Sequence, residues 1–70
     1  MSEKNTMFNC LVRYHQEWHT AKEWGGLSGL TFQRASLALS HLKKEGHVER
    51  DTKTLEPRGY QFIYRLKVAT

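Results

Sequence analysis

The run from Leu30 to Arg50, LTFQRASLALSHLKKEGHVER, followed by a polar loop and then Gly59 to Leu66, GYQFIYRL, decides the fold. Thr31 is placed to cap a helix, because its hydroxyl can accept from a first-turn amide. Ala35, Ala38, Leu39 and Leu42 follow at helical spacing and form one apolar stripe. Gly46 supplies the left-handed residue that ends helices, and Lys43 and Lys44 complement the dipole of the last turn. The spacing predicts a helix over 31–45. His47 to Thr52 reads as one strand. Tyr60 to Lys67 reads as a second, with Tyr60, Phe62, Tyr64 and Leu66 alternating with Gln61, Ile63, Arg65 and Lys67. Pro57 and Gly59 punctuate the loop between them. A capped amphipathic helix therefore feeds directly into a basic hairpin.

Toward the N-terminus, residues 1–5 read as a frayed tail. Phe8, Leu11, Val12 and His15 carry helical spacing, so a first helix is expected from Met7 to about Trp18, capped by Thr6. Trp18-His19 is placed to add a third strand to the hairpin. Thr20, Ala21, Lys22 and Glu23 form a capping box that opens a short second helix with Trp24 as its buried residue. Gly25-Gly26 is expected to end that helix on propensity alone, leaving Leu27 to Leu30 as the turn. The expected fold class is α+β: three helices, then an antiparallel hairpin of two strands or three. A single domain spans 6–67, between a flexible tail at 1–5 and another at 68–70.

Seventy residues hold one domain. A chain of this size buries roughly 60% of the surface its unfolded form exposes, which leaves little room for a deep catalytic cleft. With 39% hydrophobic and 26% charged residues the composition is that of a globular protein rather than a disordered tail. No apolar run approaches the roughly 18 residues a membrane span needs, and the first residues lack the apolar core of a signal peptide. These features point to a cytoplasmic, nucleoid-associated protein with no membrane partner.

The charge is uneven. Residues 1–30 carry three basic and three acidic side chains; residues 31–70 carry eight basic and four acidic, and so hold the whole net charge of +4. That asymmetry implies a polyanionic partner on the C-terminal half.

Enzymatic chemistry has no foothold. There is no glycine-rich phosphate loop, no pair of carboxylates spaced for acid–base work and no nucleophile elbow. Cys10 sits among apolar residues as a buried structural thiol. His15 and His19 are four apart, a spacing that metal ligands use on a helix, but no cysteine or carboxylate cluster completes a site. Neither a metal nor a cofactor is expected. Trp18, Trp24, Tyr60, Phe62 and Tyr64 read as core or hairpin-packing aromatics. His41 is expected at the surface and His47 at the corner between helix and strand.

The outward face of the third helix carries Gln33, Arg34, Ser36, Leu37, Ser40, His41 and Lys44. An α-helix fits the major groove of B-DNA, where Arg pairs with guanine, Gln with adenine, and an apolar group meets the thymine methyl. Gln33, Arg34, Ser36, Leu37 and Ser40 are the candidate base readers. Thr31, Lys44, Lys53 and Arg58 are the candidate backbone contacts, the last two from a loop spanning 51–59.

From Thr20 to Leu66 the chain resembles the small bacterial and phage winged helix-turn-helix regulators, including the compact fimbrial-operon regulators and the DNA-binding core of the MarR-like repressors. Thr20, Ala21, Lys22 and Glu23 match the start of that family's second helix. Thr31, Ala35, Leu39, Leu42, Gly46 and Val48 match its recognition helix and the turn into the wing. Gly59, Tyr60, Tyr64 and Leu66 match the return strand. The pattern departs from the family in Gly25-Gly26 after the second helix and in Gly29 in the turn. The resemblance implies a transcriptional regulator that binds double-stranded DNA, with the 31–45 helix in the major groove and the 51–59 wing on the backbone or minor groove. A module of this size buries about 600–1,000 Å² on DNA, so high specificity calls for a dimer, tandem sites or a helper protein. The alternative is a winged helix that binds a protein partner through Leu37, Ile63 and the wing without reading DNA.

Overall fold

The computed structural model describes residues 3–54 and 59–67. The order is α1 (Glu3–Arg13), β1 (His19–Thr20), α2 (Ala21–Ser28), α3 (Phe32–Lys44), β2 (Val48–Thr54) and β3 (Tyr60–Leu66). The three helices pack around Met7, Leu11, Trp24 and Leu39, which are fully buried. An antiparallel sheet ordered β1-β3-β2 closes one side of them. The architecture is the expected α+β one, with its third strand present at His19–Thr20 rather than Trp18-His19.

α3 follows its sequence signals closely. Thr31 caps it, accepting from the Arg34 amide, and its stripe of Ala35, Ala38, Leu39 and Leu42 is buried. At its end, the Gly46 amide donates to Lys43 and the His47 amide to Leu42, with Gly46 at φ 87°. These paired bonds satisfy the last carbonyls and turn the chain into β2. The His47 ring, at that corner, meets Phe8 edge-on at 5.6 Å.

α1 begins earlier than expected. Glu3 reaches Arg34 at 3.1 Å and Lys4 reaches Glu45 at 2.8 Å, so residues 3–5 are the first turn of a helix clamped to α3 rather than tail. Thr6 is inside that helix and does not cap it. α1 also ends earlier, at Arg13, because Gln16 takes a left-handed φ of 72° and redirects the chain. Trp18 lies instead under the Arg65 guanidinium, 4.6 Å from it. His15 falls in the turn and His19 in β1, so the pair shares no helix face. Cys10 is buried, and that burial pushes its thiol up, partly offset by Arg13.

α2 does not stop at Gly25-Gly26. It continues to Ser28 and ends at Gly29, which adopts φ 79°. The physical reason is packing. A Cβ at Gly25 would come within 3.0 Å of the Leu30 carbonyl oxygen and 3.4 Å of the Ala35 Cβ, so Gly25 permits the close approach of α2 to α3. The Ser28 hydroxyl donates to the Trp24 carbonyl at 2.7 Å, anchoring the last turn. At the other end the capping box is complete: the Glu23 amide donates to the Thr20 hydroxyl and the Thr20 amide to the Glu23 carboxylate. The turn into α3 is then Gly29 to Thr31, shorter than the sequence implied.

Trp24 joins helices to sheet. Its indole Nε1 donates to the Tyr64 carbonyl at 2.9 Å, and the His19 ring stands perpendicular to it at 4.9 Å. In the hairpin, Val48 pairs with Leu66, Arg50 with Tyr64, Thr52 with Phe62 and Thr54 with Tyr60. β2 therefore extends to Thr54, beyond the expected end at Thr52. Lys53 belongs to a strand, opposite Gln61, and residues 51–54 are ladder rather than loop.

Candidate nucleic-acid interface

The surface of α3 away from its buried stripe divides into three lanes. Gln33, Leu37, Ser40 and Lys44 recur at spacings of four, three and four, and all are exposed. They form a straight outward ridge. Leu37 is 62% exposed, well beyond what an aliphatic side chain with a packing role shows. Arg34 and His41 lie on the flank toward α1, where they share a shallow cleft with Glu3 and Lys4. Phe32 and Ser36 lie on the opposite flank, facing β3.

The expected base readers are thus separated. Gln33, Leu37 and Ser40 stand together on the ridge with Lys44. Arg34 is beside them but engaged with Glu3. Both partners of that pair are substantially exposed, and such pairs contribute about 0.2–1 kcal/mol, little enough for a phosphate or a guanine edge to displace the carboxylate. Ser36 is half-buried and turned toward the hairpin. The Thr31 hydroxyl accepts from the Arg34 amide at 3.3 Å, which leaves its own proton for an outside acceptor. Lys53 is exposed on β2, and Arg58 lies outside the described residues.

Two residues escaped the sequence reading. Arg50 stands over the Phe62 ring, 4.2 Å from its centroid, on the hairpin face that looks toward α3. Strand parity would have put Arg50 and Phe62 on one face only if the register had been known. Phe32 opens α3 beside the apolar stripe and is 59% exposed. On the other hairpin face Arg65 donates to Glu49 at 2.7 Å, and the half-buried Ile63 pairs with Asp51.

No family model and no curated protein matches the chain. A solved structure does: a possible transcriptional regulator from Methanosarcina mazei Go1, with a TM-score of 0.90 and 13% sequence identity. The match covers 97% of this chain and 57% of that one, so the chain spans little more than half the length of the protein it resembles. At that identity the likeness carries the fold.

The chain is a winged helix. α2 and α3 form its helix-turn-helix and the β2–β3 hairpin its wing. Among the described residues no three His, Cys, Asp or Glu side chains cluster as a metal site would require. No described helix is long and apolar enough to cross a membrane.

Proposed function

We propose that this winged helix is a sequence-specific, double-stranded DNA-binding protein acting as a small transcriptional regulator. The observation that carries the reading is the ridge of Gln33, Leu37, Ser40 and Lys44, which projects from α3 directly opposite its buried face. Laid in a major groove, that ridge offers an amide for adenine, an aliphatic group for a thymine methyl and a hydroxyl for either edge. Arg34, released from Glu3, reaches a guanine from the flank. Thr31, Lys44, Lys53 and Arg58 hold phosphates, the last two from the wing, and set the register of the helix on the duplex. With so small a footprint, high specificity comes from a second copy, tandem sites or a helper protein.

The test is fluorescence anisotropy with a random-sequence duplex and with the DNA flanking the chain's own coding region, across a salt series. Three or four phosphate contacts give a slope of log affinity against log salt of roughly −3 to −4. Preference for the flanking duplex establishes a regulator; no binding to either duplex at low salt removes the reading. Arg34→Ala is expected to weaken binding by about 1–3 kcal/mol and to relax one base position. Equal affinity of parent and variant for every sequence would take that role from Arg34.

The exposure of Leu37 supports a second reading, in which the α3 ridge docks on a protein partner. Such a contact is apolar and barely responds to salt, so the same titration separates the two.

A further inference from the structure

The wing carries an aromatic surface that duplex reading does not use. Tyr60 is 64% and Phe62 39% exposed, and the two rings meet edge-to-face at 5.5 Å. Across from them, Phe32 opens α3 at 59% exposure. Phe32 and Phe62 line one cleft of about 190 Å³ between the helix and the wing, with Lys22 and Ser36 also on its walls. Single exposed apolar residues are ordinary, but two exposed aromatic rings on one concavity, with the exposed Tyr60 ring packed on Phe62 beside it, are not.

The charged side chain that lines this cleft is basic, Lys22; the Glu23 carboxylate lies behind its wall, accepting from the Thr20 amide. Strand alternation puts Arg50, Thr52, Thr54, Tyr60 and Phe62 on the wing face that looks toward α3, and it puts Glu49 and Asp51 on the other. No carboxylate lines the cleft among the described residues. Lys22 stands at its edge and the Arg50 guanidinium covers Phe62. Flat rings interleaved with cations suit a flat, electron-rich ring attached to an anionic backbone. An aliphatic or acidic protein surface would satisfy one half of that chemistry and not the other. The cleft is below the roughly 300–1,000 Å³ of small-molecule sites, which favours a single ring system held on a chain.

We infer that the cleft between Phe32 and the wing binds unpaired nucleobases of single-stranded DNA, stacking them on Phe62, Tyr60 and Phe32 while Lys22 and Arg50 hold the adjoining phosphates. Stacking of this kind accepts any base, because every base has a π-face. The inference rests on the DNA-binding reading only in taking nucleic acid as the partner; it assigns a different surface and a different form of DNA. A strand opened next to a bound duplex lies within reach of both.

The test uses the whole chain and three labelled probes: a thymidine oligonucleotide, an abasic oligonucleotide of equal length, and the flanking duplex. The expected result is binding of the thymidine strand at least about fivefold tighter than the abasic strand, a difference that Phe62→Leu and Tyr60→Ala each reduce. Neither variant is expected to alter duplex binding, and that arm also reports that each is folded. Equal binding of thymidine and abasic strands, or a base preference untouched by both substitutions, overturns the inference even where the duplex is bound well. Loss of duplex binding alone, with base-dependent strand binding intact, leaves the inference standing and overturns the regulator reading.

Discussion

The two ends of the β2–β3 hairpin follow one alternation and meet opposite fates. At its root, Val48 and Tyr64 are buried, Leu66 packs against them, and the Tyr64 carbonyl accepts from Trp24. At its tip, Phe62 and Tyr60 continue the same face with the same kind of side chain, and both are exposed. Parity decides which way a residue points; it does not decide whether anything is there to cover it. Tyr64 is the last buried residue of β3 toward the tip, and the strands run on beyond it. Residues past that limit are free to meet a partner, so root and tip should respond very differently to substitution.

The largest effect belongs to the root. Trp24→Ala removes a fully buried ring and its hydrogen bond to the Tyr64 carbonyl, at about 3–5 kcal/mol. In so small a domain that should abolish the cooperative transition seen by circular dichroism. Phe62→Ala at the tip should cost less than about 1 kcal/mol, since Phe62 is exposed and its ring contacts are with Tyr60 and the Arg50 guanidinium at the surface. A tip substitution as damaging as the root one would mean that the wing belongs to the core.

The same contrast occurs between neighbours in α2. Gly25→Ala forces a methyl against the Leu30 carbonyl and should destabilise by about 1–3 kcal/mol. Gly26→Ala meets nothing within 4 Å and should stabilise by roughly 0.5–1 kcal/mol through helix propensity. Urea denaturation of both variants checks the pair; equal signs would sink the close-packing explanation of Gly25.

Smaller still is the cap of α3. Thr31→Ala removes the acceptor for the Arg34 amide and should cost about 1 kcal/mol in thermal unfolding. Last comes a pH effect. The Glu23 carboxyl is held below its ordinary range, chiefly by the Thr20 amide that donates to it. Its contribution is therefore present above the unfolded-state value and is lost as pH falls through the folded one. Glu23→Gln should be less stable than the parent at neutral pH, and the gap should narrow in acid. A gap that held constant down to low pH would remove the charge of Glu23 from the explanation.

What the sequence makes legible follows the range of the forces involved. α3 is readable because its cap, stripe and terminal glycine are local and agree. The outward face of α3 is readable for the same reason, as the complement of the buried stripe, but its division is not: Arg34 and Ser36 fall on opposite flanks of the ridge of Gln33, Leu37, Ser40 and Lys44. The start of α1 is not readable, because the partners of Glu3 and Lys4, Arg34 and Glu45, lie far along the chain. The run of α2 through Gly25-Gly26 is not, because contact with α3 overrides propensity. Arg50 over Phe62 depends on a hairpin register that no single strand specifies.

The most direct test of DNA reading by α3 is an amide chemical-shift map of the labelled chain on titration with its flanking duplex. A DNA-reading α3 predicts the largest changes at Gln33, Leu37, Ser40 and Lys44, with Lys53 following from the wing. Changes confined to the opposite side, at Asn9, Arg13 and Leu27 between α1 and α2, would contradict it.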